Sequence, residues 1–231
     1  MKILVVNPNT TASMTARIGV CARNAASPGT EIIARNPPSG PVSIEGHYDE
    51  AISTPGLLEE IRRGEAEGMD GFVVACFDDP AIGACRELAT GPVLGICEAA
   101  MRAASMISTS FSVVTTLPRS IPIIEDLALR YGLERRCRRV RAVDLPVLAL
   151  EDDPAARNRV LSEARAAVAE DRCEAVILGC AGMADLTDWL SRKAGVPVID
   201  GVVAGVRLVE ALVGAGLKTS KIGGYGTPRR K

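Results

Sequence analysis

The chain has 231 residues, 47% of them hydrophobic and 24% charged, with 27 Lys and Arg against 28 Asp and Glu. A net charge near zero excludes the broad basic field that nucleic acid or an anionic membrane requires, and no apolar run reaches the ~18 residues of a membrane span. What remains is an ordinary globular composition, long enough for one large domain or two small ones, with neither nucleic acid nor membrane as a partner.

Met1-Lys2 runs straight into Ile3-Leu4-Val5-Val6. That run is too short for a secretory signal core and reads as a buried strand, so a cytoplasmic protein is expected. From there, short β-branched runs alternate with helical stretches. Strands are expected at 3–7, 31–35, 71–76, 93–96, 111–115, 138–142, 175–179 and 198–200. Helices are expected near 12–25, 54–67, 80–88, 98–107, 121–131, 154–171, 183–194 and 202–215. This alternation is the pattern of an α/β fold, a parallel sheet covered by helices. The basic tail Pro228-Arg229-Arg230-Lys231 reads as a frayed, solvated end.

An internal repeat runs through these elements. Gly71-Phe-Val-Val-Ala-Cys76 matches Ala175-Val-Ile-Leu-Gly-Cys180, each an apolar strand that ends in cysteine and leads into a helix. The next strands open alike, on Gly91-Pro92-Val93-Leu94 and Val196-Pro197-Val198-Ile199. Upstream, Ile3-Leu-Val-Val-Asn7 resembles Phe111-Ser-Val-Val-Thr115. Two similar α/β units of about a hundred residues account for this. Parallel sheets bind ligands at the carboxyl ends of their strands. If the two units face each other, Asn9, Cys76, Thr115 and Cys180 reach one cleft.

The seven cysteines carry no CxxC pair and are expected as free thiols, and His47 is the only histidine, so a zinc knuckle or a Ser-His-Asp triad finds little support. Cys21 shares a helical stripe with Met14 and Ile18, and Cys85 one with Ile82 and Leu88, which are core positions. Cys137 and Cys173 fall at the amino-terminal ends of their strands. Cys97 follows a strand end, where it packs or lines the cleft. Cys76 and Cys180 each close a strand ahead of a helix, where unpaired N–H groups and the helix dipole favour a thiolate. Either alone is equally a buried core thiol; their equivalent places in a repeat point to function. Two opposed thiols suit the inversion of a C–H beside a carbonyl. One thiolate removes the proton, and the other thiol returns one to the far face. No cofactor and no metal are required.

Several of these residues carry a family resemblance. Asn7-Pro8-Asn9-Thr10, Ala75-Cys76-Phe77-Asp78-Asp79-Pro80, Val113-Val114-Thr115-Thr116-Leu117 and Leu178-Gly179-Cys180-Ala181-Gly182-Met183 resemble the hydantoin racemases of the aspartate/glutamate racemase superfamily. They are similarly close to the allantoin racemases, as is the stretch from Gly40 to Glu50. The resemblance extends from residue 1 to about residue 220. It implies two Rossmann-like parallel-sheet domains related by a pseudo-twofold, with the active site in the cleft between them. The expected division is 1–100 with 205–231, the C-terminal helix returning to the first domain, and 101–204. It further implies a homo-oligomer, a small hydantoin-type substrate, and Cys76 and Cys180 as the catalytic pair. Asn9, Ile44, Thr115, Thr116, Ala181 and Gly182 match the substrate-contacting segments. Amino-acid racemases typically read Cys-Asn-Thr and Cys-Thr-His where this chain has Cys76-Phe77-Asp78 and Cys180-Ala181-Gly182. The loss of a histidine and the gain of a phenylalanine suit an uncharged ring. Backbone N–H groups around Gly182 are expected to face a ring carbonyl as an oxyanion hole.

Other residues have plainer readings. Asp78 or Asp79 is expected to cap a helix that begins at Pro80, or else to orient the thiol. Thr115 and Thr116 either bond substrate or finish their strand. His47 reads as a surface residue, and Arg135, Arg136, Arg138, Arg139 and Arg141 as side chains turned to solvent or a subunit contact. The competing functions are an allantoin racemase, a maleate isomerase or arylmalonate decarboxylase, and a non-catalytic binding protein in which the cysteines only pack.

Overall fold

A computed structural model describes residues 1–149 and 155–229. The start of the helix expected at 154–171 and the last two residues of the basic tail lie outside the described residues. The described residues form two four-stranded, wholly parallel sheets. The first contains β1 (Lys2–Val6), β2 (Glu31–Arg35), β3 (Gly71–Val74) and β4 (Val93–Gly95), in the order β2-β1-β3-β4. The second contains β5 (Phe111–Thr115), β6 (Cys137–Ala142), β7 (Ala175–Leu178) and β8 (Val198–Asp200), in the order β6-β5-β7-β8. The two orders are the same once each strand is matched to its repeat partner. The likeness of the two sequence halves is thus a likeness of topology.

The helices are α1 (Ala12–Ala25), α2 (His47–Ala66), α3 (Ile82–Leu88), α4 (Ile96–Ile107), α5 (Ile121–Arg130), α6 (Ala156–Ala166), α7 (Thr187–Ala194) and α8 (Gly201–Gly214). A π-helical turn, Ala167–Asp171, extends α6, and a 3-10 segment, Ala181–Leu186, precedes α7. Central strands β3, β5 and β7 are buried at every residue, as strands covered on both faces must be. Side chains alternate between two cores. Leu4, Val6, Phe72 and Val74 pack beneath α2 with Leu57 and Ile61. Ile3, Val5 and Val73 point the other way, into a larger cluster that also holds Phe111, Val113 and Ile177 of the second sheet. One apolar core therefore joins the two halves.

The last helix of each half packs across this junction. α4 follows the first sheet and contacts β5 and β7, while α8 follows the second sheet and contacts β3. The two helices meet at Gly201, where a Cβ would fall 2.6 Å from the Ile96 carbonyl oxygen, so only glycine allows the approach. No helix among the described residues is long and apolar enough to cross a membrane.

Some elements depart from expectation. The second helix begins at His47 rather than Thr54 and runs through Pro55. Pro55 and Ala51 are both exposed, so the carbonyl that loses its i+4 donor is solvated and the helix tolerates the ring. Arg141 does not turn to solvent. It is 9% exposed and held by Asp171, with Glu170 and Glu163 beside it, because the final residues of edge strand β6 turn inward against the π-helical turn. Arg135, Arg136, Arg138 and Arg139 are exposed as expected. Cys21 is half-buried, packed against the larger core and also lining a groove.

Candidate active site

Two surface features compete on size alone. A groove of about 930 Å³ runs between α1, α8 and the end of the second sheet, and a cavity of about 40 Å³ lies between the two sheets' carboxyl ends. The groove is larger, but its one thiol is Cys21 and its charged groups are scattered along an open wall. The small cavity is lined by Cys76 and Cys180 together, with Asn9, Ile44, Phe77, Asp78, Thr115, Thr116, Ser120, Val147 and Ala181 among its walls. The smaller space is the candidate site, because it gathers the reactive groups that the larger groove lacks.

The repeat explains the convergence. Each cysteine stands two residues beyond the end of a central strand, β3 or β7, at the pole where parallel sheets bind ligands. The amide two residues on, that of Asp78 for Cys76 and that of Gly182 for Cys180, favours a thiolate on each sulfur. The tight turn after the strand brings that amide back onto its own cysteine. Gly182 itself lines the neighbouring groove. All the other residues expected at the site line the cavity.

Neither thiol is depressed in this structure, contrary to the expectation from helix position. Burial pushes the Cys76 thiol well above its ordinary range, and the neighbouring Asp78 carboxyl adds to the effect against its own amide. Burial pushes Cys180 up to about 11, opposed first by the Gly182 amide. A hydrogen bond from one amide does not offset the loss of water around a buried sulfur. The helix that follows Cys76 starts only at Ile82, too far along for its dipole to be felt.

Two loops bring further wall residues. The segment before α2 carries Ile44 and is anchored by the Thr10 amide on the Pro41 carbonyl (2.9 Å) and the Thr11 hydroxyl on the Val42 carbonyl (2.6 Å). Glu45 then accepts the Val147 amide at 3.0 Å, drawing a loop of the second half over the first. Asn9 organises its own loop. Its Oδ1 accepts from Asn7 Nδ2 (2.8 Å) and the Thr11 amide (2.9 Å). The Thr115 hydroxyl donates to the Gly179 carbonyl at 3.0 Å and so serves the sheet. Met14, Ser120 and Val147 were not legible as wall residues. Ser120 follows Thr116 in one loop, a signal that was available, whereas nothing in the sequence marks Val147.

The paired aspartates separate in role. Neither caps a helix at Pro80, since α3 begins at Ile82 and has no side-chain cap. Asp79 instead caps α4, accepting the Cys97 amide at 3.0 Å, the Glu98 amide at 2.9 Å and the Tyr131 hydroxyl at 2.7 Å. Asp79 holds a positive φ of 44°, which turns its carboxylate toward α4 rather than along its own loop. In the second half the equivalent helix, α8, is capped by its own Asp200 through the Val203 amide. Asp78 lines the cavity, is 7% exposed, and has an Oδ2 with no hydrogen-bond partner. Burial, and then the charge of Glu50, pushes its carboxyl up to about 7. A raised folded-state pKa means that the carboxyl stabilises the fold least once it ionises. Stability is lost as pH rises from the unfolded value of 3.8 through about 7. The stability gap between Asp78→Asn and wild type is expected to widen between pH 4 and 7 and then level off, read by urea denaturation. A gap that stays constant over that range contradicts the assignment. His47 sits exposed at the start of α2, 3.8 Å from Glu50, as a surface residue.

The Asp/Glu/hydantoin racemase family model matches residues 3–209, which span both sheets and both cysteines. The chain belongs to the Asp/Glu/hydantoin racemase family. It is accordingly an isomerase of the racemase type that acts on a small molecule. It is 57% identical to a hydantoin racemase of Rhizobium meliloti, over 100% of this chain and 96% of the relative. A hydantoin racemase of Pseudomonas sp. (strain NS671) is 50% identical over 100% of this chain and 93% of its own. In structure the racemase matches an allantoin racemase from Klebsiella pneumoniae with a TM-score of 0.98 and 52% identity, covering 100% of this chain and 95% of the other.

Proposed function

We propose that this racemase inverts C5 of 5-monosubstituted hydantoins, with Cys76 and Cys180 as the two bases. The observation that carries the reading is a single cavity walled by both thiols, one from each half of the repeat. A hydantoin's C5–H lies beside a ring carbonyl, so its removal places charge on oxygen. One thiolate takes the proton from its face, and the opposite thiol delivers its own proton to the planar carbon. The carbonyl re-forms, the centre is inverted, and the thiols have exchanged roles. Cys180 is buried and Cys76 half-buried, which limits the water that would compete for the carbanion.

Substrate class follows from the walls. Ile44, Phe77, Val147 and Met14 give the cavity an apolar part and Asn9, Thr115, Thr116 and Ser120 an uncharged polar one, and among the described residues no Arg or Lys lines it to hold an α-carboxylate. An uncharged ring enters such a space at far less cost than a zwitterion. An enantiopure 5-alkyl or 5-benzyl hydantoin is therefore expected to lose its optical rotation with enzyme, while aspartate and glutamate keep theirs. Turnover of aspartate without action on hydantoins is the result that defeats the reading. The second reading is an allantoin racemase, favoured by the near-superposition on the Klebsiella structure. Allantoin carries a polar ureido group at the same carbon, where these hydantoins carry an alkyl or benzyl group. Parallel turnover of allantoin and 5-benzylhydantoin separates the two. Two reduced thiols require a reducing compartment, which fits residence in the cytoplasm, and a homo-oligomer is the expected assembly.

A further inference from the structure

Thr115 spends its hydroxyl on the Gly179 carbonyl and so offers none to an enolate. Thr116 and Ser120 bring hydroxyls to the cavity, and a donor beside Cys76 would add to them on the oxygen where charge gathers. Asp78 lines the cavity beside Cys76, buried, with one carboxyl oxygen unpartnered. An ionised carboxylate there would leave a buried oxygen without a partner and repel the enolate. A neutral carboxylic acid has one O–H to donate.

We propose that Asp78 acts in the inversion as a neutral carboxylic acid that donates a hydrogen bond to the substrate oxygen on which enolate charge develops. This rests on the two-thiol reading above. Transfer of the Cys76 proton to the Asp78 carboxylate creates the thiolate base and the neutral acid in one step. The thiolate then takes the C5 proton, and the electron pair of that C–H bond moves to the carbonyl oxygen. Asp78 holds that oxygen by its O–H without giving the proton up. The Cys180 thiol protonates the opposite face, the carbonyl returns, and Cys180 is left as thiolate. Other charged groups acting on these three are Glu50 of α2 on Asp78, Asp79 of the same loop on Cys76, and Arg17 of α1 and Asp200 of β8 on Cys180. None shares the cavity wall. Burial and Glu50 lift the Asp78 carboxyl to about 7, so both its neutral and ionised forms are within reach near neutral pH.

The active form of the Cys76–Asp78 pair carries one negative charge, on sulfur. Its population stops rising once the pair has lost its first proton, so the wild-type rate is expected to flatten above about pH 7. Asp78→Asn keeps an N–H donor but cannot ionise. Its rate is expected to stay within about tenfold of wild type at pH 6–7 and to climb about tenfold per pH unit above 7 without flattening. Asp78→Ala has no donor and is expected to lose about 100-fold in kcat with a smaller change in KM. Identical pH profiles for Asp78→Asn and wild type, or Asp78→Ala within about threefold of wild type, overturn the proposal. A turnover-independent arm follows Cys76 alkylation by iodoacetamide against pH, by mass spectrometry of its peptide. The rate is expected to flatten above about pH 7 in wild type and to keep rising in Asp78→Asn. If wild type racemises no hydantoin, the proposed function fails. The alkylation profiles then still decide whether Asp78 and Cys76 share a proton, and superimposed profiles refute it.

Discussion

Cys76→Ser and Cys180→Ser are each expected to reduce inversion by about 10³-fold or more. A serine hydroxyl ionises far less readily than a thiol, and the burial that already raises both sulfurs raises it further. The loss should be the same for both variants, because inversion needs a base on one face and an acid on the other within one turnover. Exchange is expected to survive asymmetrically. In D2O the Cys180→Ser enzyme still washes deuterium into the enantiomer that presents its hydrogen to Cys76, and Cys76→Ser into the opposite one. Polarimetry follows inversion, and proton NMR of C5 follows exchange. Either variant inverting at near the wild-type rate removes that sulfur from the mechanism. Unchanged ligand affinity in both variants together with no exchange in wild type favours a binding module with packed cysteines.

Gly95→Ala is expected to cost about 3 kcal/mol or more of stability, through the cap of α4. A Cβ at Gly95 would lie 2.0 Å from Asp79 Oδ1, so Asp79 must leave the helix end it serves. Its departure strands the Cys97 and Glu98 amides and the Tyr131 hydroxyl in a buried junction between the halves. Tyr131→Phe removes one of those three donors and is expected to cost about 1 kcal/mol. Asp79→Ala should approach the Gly95→Ala value, since both end in an uncapped α4. Urea denaturation midpoints measure all three. A Gly95→Ala midpoint equal to wild type means that Asp79 is not held there. The effect reaches the site as well, because Asp79 follows Asp78 in the loop that positions Cys76.

Strand–helix alternation was legible because buried parallel strands are continuous β-branched runs that few other structures tolerate. Phe111–Thr115, Val198–Asp200 and Ala12–Ala25 fall where the pattern put them. The repeat was equally legible. A duplicated strand-cysteine unit places both sulfurs at the same pole of matching sheets, and the family motifs around them sharpen that reading. Asn9, Ile44, Thr115, Thr116 and Ala181 follow from the same motifs onto one cavity wall.

Contacts between distant segments were not legible, because they follow from how the halves dock rather than from local pattern. Asp79 looked like a cap for the next helix, yet its partners lie 18, 19 and 52 residues further on. Val147 joins the wall only because Glu45, 102 residues earlier, accepts its amide. Arg141 reads as one of five similar arginines until the fold buries it against Asp171. By itself, then, the sequence determined the α/β class, the duplication and the pair of sulfurs, all properties of local pattern and spacing. The tertiary structure alone decided burial: how far water is withdrawn from Cys76, Cys180 and Asp78 depends on every segment that closes over them, and that withdrawal pushes all three toward their protonated forms.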